Sequence, residues 1–199
     1  MKTLIAGVLM VASRAFAFAQ PAQTVRLRGV IEKVDGPTLT AKLAGDVEVK
    51  LTLTNGARIV AVVKASMADV KENTFLGSAA IPQPDGTQKA LEVHIFPEAM
   101  RGTGEGHRPY SLPNSTMTNG TIAGATVMGT DGSTMIVKYK GGEQRIVVPP
   151  DTPIVRYDIG STADLKSGVH FSVTAATKKP DGTFEASRIN VGRGGATPR

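Results

Sequence analysis

The chain has 199 residues, no cysteine, no tryptophan and a formal net charge of +6, which excludes disulfide stapling, thiolate metal centres and cysteine nucleophiles together. Its cations are scattered instead of forming a run, so the charge describes a solvated basic surface and not a nucleic-acid-binding arm. Beyond the N-terminal segment no stretch is apolar over the ~20 residues needed to span a bilayer.

The chain opens Met1-Lys2, runs through an apolar stretch from Thr3 to Ser13 and reaches Ala17-Phe18-Ala19 before Gln20-Pro21. This is the pattern of a secretory signal peptide over 1–19 with cleavage after Ala19, and Arg14 comes too early to allow a membrane-spanning helix. Cleavage takes Lys2 and Arg14 with it and lowers the charge from +6 to +4. It predicts a periplasmic or secreted bacterial protein.

From Val25 to Ile31 apolar and polar residues alternate before Asp35-Gly36, and a second strand from Thr38 to Leu43 follows. Val47 to Leu53 keeps the period of two up to Asn55-Gly56, which predicts a hairpin, and Arg58 to Lys64 is the returning strand. Ala65 to Lys71 has the composition of a short helical turn. Strands from Thr74 to Ile81 and from Lys89 to Phe96 flank the turn Pro84-Asp85-Gly86.

After an 18-residue-class connection rich in Gly, Pro and charge, the same order returns. It reads Thr121 to Met128, Thr134 to Tyr139, Glu143 to Val148, Ile154 to Tyr157, a turn at Ser161 to Lys166, Val169 to Thr174 and Phe184 to Val191. Ala65 to Lys71 falls on Gly160 to Lys166 at an offset of 95. Pro84 to Thr87 falls on Pro180 to Thr183, and Ala90 to Ile95 on Ala186 to Val191, at 96. The same 96 carries Asp35-Gly36 onto Asp131-Gly132 and Lys42 onto Lys138. Self-similarity on this scale fixes the architecture before any motif does.

Five or so short strands with one small helix suit a closed antiparallel barrel, because closure removes the exposed edges of a lone sheet. The expected fold is all-β: two tandem small OB-fold-like barrels, each with one short helix. Their bounds are 20–97 and 119–192, with a connecting loop at 98–118 and a flexible tail at 193–199. An immunoglobulin-like sandwich is the alternative, with too few strands per unit and no Cys-Trp-Cys signature.

The leader, the strand reading Arg28-Gly29-Val30-Ile31-Glu32-Lys33-Val34-Asp35-Gly36, the segment Ser66 to Lys71 and the strand Ala90 to Ile95 together resemble exported bacterial OB-like domains of unknown function that occur in tandem. The resemblance covers both halves. It implies a small barrel and an envelope location, and it brings no catalytic residues.

The connection is the natural place to look for a site, since a loop of more than about 15 residues is usually functional or disordered. Arg101, Glu105, His107, Arg108 and Tyr110 are the candidate ligand- or partner-binding residues, against the bland alternative that their charges staple the loop to the barrels. Soft thioether and imidazole donors suit Cu(I), which makes Met100, His107 and Met117 the alternative, copper-binding set. His94 and His170 align with Asn190 and Phe75, so they are not a duplicated metal site. A hydrolase would need a serine at a strained elbow, and no Gly-x-Ser-x-Gly is present. Gly102-Thr103-Gly104-Glu105-Gly106 follows a strand as phosphate loops do, but Pro109 and Pro113 oppose the helix that would hold the phosphate. Phe75, Phe96, Tyr139, Tyr157, Phe171 and Phe184 sit at strand positions where they are expected to pack the core. The sequence therefore predicts a module that binds an envelope protein or an anionic polymer, not nucleic acid, with no cofactor and no chemistry of its own. Copper handling is the first alternative, and an enzyme using the central loop is the second.

Overall fold

A computed structural model describes residues 24–124, 127–129 and 132–198; the leader at 1–19 lies outside them. The described residues form thirteen strands. They are β1 (Thr24–Asp35), β2 (Thr38–Leu43), β3 (Glu48–Ala65), β4 (Phe75–Pro82), β5 (Gln88–Ile95), β6 (Gly106–Pro109), β7 (Thr116–Ile122), β8 (Val127–Gly129), β9 (Gly132–Tyr139), β10 (Gly142–Val148), β11 (Ile154–Ile159), β12 (His170–Lys178) and β13 (Phe184–Gly192). Three short 3-10 turns, Met67–Asp69, Glu98–Met100 and Thr162–Asp164, complete the described elements. The fold is all-β and barrel-forming, as the alternation predicted.

Strand pairing closes two rings of five. The first runs β1, β2, β3, β13, β12 and back to β1. The second runs β7, β9, β10, β5, β4 and back to β7. In both, the β3–β13 and β10–β5 contacts are parallel and the others antiparallel. Leu27, Ile31, Leu39, Leu51, Phe171, Ile189 and Val191 fill the first ring. Leu76, Val93, Ile122, Met135, Val137 and Ile146 fill the second.

Each ring therefore takes strands from both halves of the chain, which corrects the expected division into contiguous barrels at 20–97 and 119–192. The cause lies in β3. At 18 residues it would extend roughly 60 Å at ~3.3 Å per residue, far more than one small barrel can use. Its first part closes the first ring against β2. Its last part leaves the ring and pairs antiparallel with β11, from Val60↔Ile159 to Ala65↔Ile154. The turn Met67–Asp69 then delivers Val70 into the core of the second ring, while the turn Thr162–Asp164 delivers Leu165 into the first. Val62, which the offset of 95 aligns with Tyr157, pairs with Tyr157 itself, so a local twofold axis passes beside that pair.

Asn55-Gly56 is not the predicted hairpin. β13 runs alongside both parts of β3 and skips from Ala186↔Leu53 to Arg188↔Arg58, so the extra residues form a bulge in a continuing strand. Gly56 supplies the required positive φ, +73°. In the second half Pro150-Asp151 stands at the aligned positions, preceded by Pro149, and the two prolines separate β10 from β11, because proline cannot donate to a ladder.

The first strands align at a different offset from the rest. Ile31 and Ile122 hold the same place, each bracketing a loop through paired backbone bonds, to Gly168 and Val169 in one case and to Asn73 and Thr74 in the other. That offset is 91, since five more residues separate Ile122 from Gly132 than separate Ile31 from Gly36. The expected strand Thr121 to Met128 is accordingly replaced by β7 and β8. Gly29 and Gly120 share this offset, and a Cβ on either would stand 2.1 or 2.2 Å from a carbonyl oxygen, of Lys42 or Lys138.

Local chemistry repeats closely elsewhere. The Asp69 carboxylate accepts from the Ser66 amide at 2.8 Å and Asp164 from the Ser161 amide at 2.9 Å, each fixing its 3-10 turn. Asp85 and Asp181 each accept from a threonine amide at 2.9 Å and its hydroxyl at 2.7 Å, closing the two Pro-Asp-Gly-Thr turns. The tail, expected to be flexible, is held over its described part. Arg193 donates to both oxygens of Asp164 at 2.9 and 3.0 Å, and Ala196 is buried against Val60, Val62, Val155 and Tyr157.

Candidate functional site

The central segment is neither loose nor free. Arg101 grips Glu98 with two nitrogens, donates to the Asn73 carbonyl at 2.9 Å and to the Thr121 hydroxyl at 3.2 Å, and lies 5.8 Å from the Phe75 ring centre. The Glu98 partner holds the guanidinium above its usual pKa and is itself held below the carboxylate range. Glu105 accepts from the Lys140 amide at 2.9 Å. Arg108 donates to the Gly104 carbonyl at 2.7 Å. His107 Nδ1 lies 2.8 Å from the Thr118 hydroxyl and its ring stacks on Tyr139, with burial lowering its pKa. The Tyr110 amide donates to the Ser115 carbonyl. All five predicted residues thus make internal contacts, while β6 adds a short strand beside β7. Arg101 and Glu105 reach strands outside the segment, while the bonds of Arg108 and of the Tyr110 backbone stay within it.

The proposed copper ligands do not converge. In the β6–β7 register His107 faces Thr118 and Arg108 faces Met117, and neighbouring residues of a strand point to opposite faces. Met117 is buried on the face away from the imidazole. Met100 packs elsewhere, against the cluster around Val60 and Tyr157. Among the described residues no group of three or more His, Asp or Glu side chains is placed to hold a metal ion.

Aromatic side chains run inward from Arg101. Phe75 meets Phe96 at 5.5 Å, Phe96 meets Tyr157 edge-on at 5.3 Å, and His94 stacks on Tyr157 at 5.2 Å while its Nε2 lies 3.1 Å from Glu92. Desolvation raises the Tyr157 hydroxyl well above its ordinary pKa, so it stays protonated. These rings support the contact between β3 and β11 at the twofold axis. His170, by contrast, is exposed.

Two grooves flank that axis. The first, about 420 Å³, lies between the 3-10 turn Glu98–Met100 and the strands β3, β11 and β13. Arg58, Arg188 and Asp158 supply its charges, and Ile59, Met100 and Ile159 supply apolar surface. The second, about 450 Å³, lies under the tail and is lined by Thr152 to Val155, Lys64 and Glu92. The sequence offsets map one onto the other: Ala57 to Val60 onto Thr152 to Val155, Ala99-Met100 onto Gly195-Ala196, and Arg188 onto Glu92. The grooves share a scaffold and differ in charge. Neither Arg58 nor Arg188 carries a motif, and sequence reading passed over both.

No protein-family model, curated protein or solved structure matches the chain. What fold and site define is an all-β barrel protein with paired, chemically unlike grooves. Among the described residues no helix is long and apolar enough to cross a membrane.

Proposed function

We propose that this is an exported, non-catalytic binding module of the bacterial envelope, made of two duplicated OB-fold-like barrels, with the groove beside the central segment as its binding surface. The leader pattern supports export. The OB-like reading is supported by ring order: in each ring the fifth strand of a repeat lies parallel to the third, and a short turn joins the third strand to the fourth. The observation that carries the binding role is the placement of the 420 Å³ groove, which takes its walls from both halves and the segment between them. Binding modules commonly place ligands at such junctions.

The test is native mass spectrometry of the protein recovered from the periplasm, beside an Ala57→Trp variant that fills the groove. A retained adduct on the native protein that the variant lacks supports the reading. An adduct equally present on both excludes this groove as its site.

A further inference from the structure

We infer that the groove beside the central segment binds a small amphiphilic anion, a carboxylate or phosphate head on an apolar body, with Arg58 and Arg188 as the head-group ligands. This inference rests on the groove being the binding surface.

Arg58 and Arg188 face each other in the β3–β13 register and both line the groove. Like charges on adjacent strands repel and cost stability. Among the described residues neither guanidinium forms an ion pair. The acid in the groove wall, Asp158, is engaged by Arg156 at 3.0 Å and by Arg193 at 3.6 Å. Arg188 donates only a long bond, 3.4 Å, to the Asn190 side chain. The site therefore presents two guanidiniums, and the acid that shares its wall, Asp158, is already engaged by other arginines.

The second groove supplies an internal control. Pro153 holds the place of Arg58 and Glu92 that of Arg188, and the same strand contact forms there, with the Val93 amide donating to the Pro153 carbonyl at 3.0 Å. The scaffold does not need a cation at either position, so the facing pair is not a requirement of folding. Two guanidiniums on paired strands of one groove match an oxyanion, which they can hold through several charge-assisted bonds.

The apolar body is dictated by the remaining wall. Ile59, Met100 and Ile159 line it, and Ile159 has 74% of its surface exposed. An alkyl or ring body resting there would cover it, while a bare anion would leave it in water.

Titration calorimetry on the full chain tests this with four probes: decanoate, decyl phosphate, decan-1-ol and acetate. The native protein is expected to bind decanoate or decyl phosphate, and to bind decan-1-ol and acetate at least about tenfold more weakly. Arg58→Gln and Arg188→Gln should each weaken the anionic probe by about tenfold while melting no lower than the native protein, since each relieves the repulsion, and added salt should weaken binding further. If the double variant binds as the native protein does, or if decan-1-ol binds as tightly as decanoate, the anion assignment is overturned. In that event, loss of binding in Ala57→Trp would keep the groove as a binding surface. If Ala57→Trp binds decanoate normally, or no probe binds the native protein, both readings fall.

Discussion

Individual charges in the central segment explain why it is ordered. Arg101 ties together three stretches that are distant in sequence, through Glu98, the Asn73 carbonyl and Thr121. Arg101→Ala should lower the melting temperature, because it releases the contacts that tie the Glu98–Met100 turn to Asn73 and Thr121. His107 makes a distinct prediction through its burial. Its folded pKa lies below the ordinary value, so below about pH 6.5 the unfolded chain takes up the proton first and stability falls. Thermal melts from pH 7.5 to 5 should show this loss in the native protein and a smaller one in His107→Gln. Asp164 acts in the acid range. The Arg193 guanidinium, and then the Ser161 amide, hold its pKa down, so its contribution is full above the ordinary carboxylate value and fades as pH falls through the folded one. Asp164→Asn should be less stable than the native protein at pH 7, with the difference shrinking towards pH 2.

At the scale of strands and turns, the close crossing of β1 and β2 depends on Gly29, whose Cβ position is occupied by a carbonyl of Lys42. Gly29→Val should separate those strands, and urea unfolding should show a large drop in stability. Phe171, 1% exposed at the centre of the first ring, should cost about 3–5 kcal/mol on replacement by alanine. Both sites were open to sequence reading only in part. The period of two marked Leu39, Leu51 and Phe171 as inward-facing, and the Pro-Asp-Gly-Thr and Ser-x-x-Asp segments gave the turns. Alternation says which face a residue takes, however, and not which strand lies beside it. Because the fourth and fifth strands of the two halves are alike in pattern, either set could close either ring. The deciding fact is the length of β3, and Asn55-Gly56 hid it by reading as a hairpin where a bulge lets the strand continue. The site was obscured for a related reason. The charged loop residues drew attention by composition and proved to have internal partners, whereas Arg58 and Arg188 lie singly in strands. The signal available was the alignment itself, which sets Arg188 against Glu92 within an otherwise matching strand.

For the molecule as a whole, reciprocal closure makes the halves interdependent. Residues 24–65 supply three strands of a ring that β12 and β13 complete, and β4 and β5 complete the ring begun by β7, β9 and β10. Unfolding should be one cooperative transition, since losing either half opens both rings. The pairing of β3 with β11 about the twofold axis, backed by Val60, Val62, Val155 and Tyr157, brings the grooves together and lets the central segment and the tail cover one each. The two clefts so formed are similar in build and differ in charge. The measurement that tests this architecture most directly is cleavage of the chain at a protease site introduced between Gly102 and Gly104, followed by size-exclusion chromatography without denaturant. Reciprocal rings predict that the two pieces co-elute as a single species of full-chain size and separate only in denaturant. Two independently folded pieces eluting apart would contradict the exchange of strands between the halves.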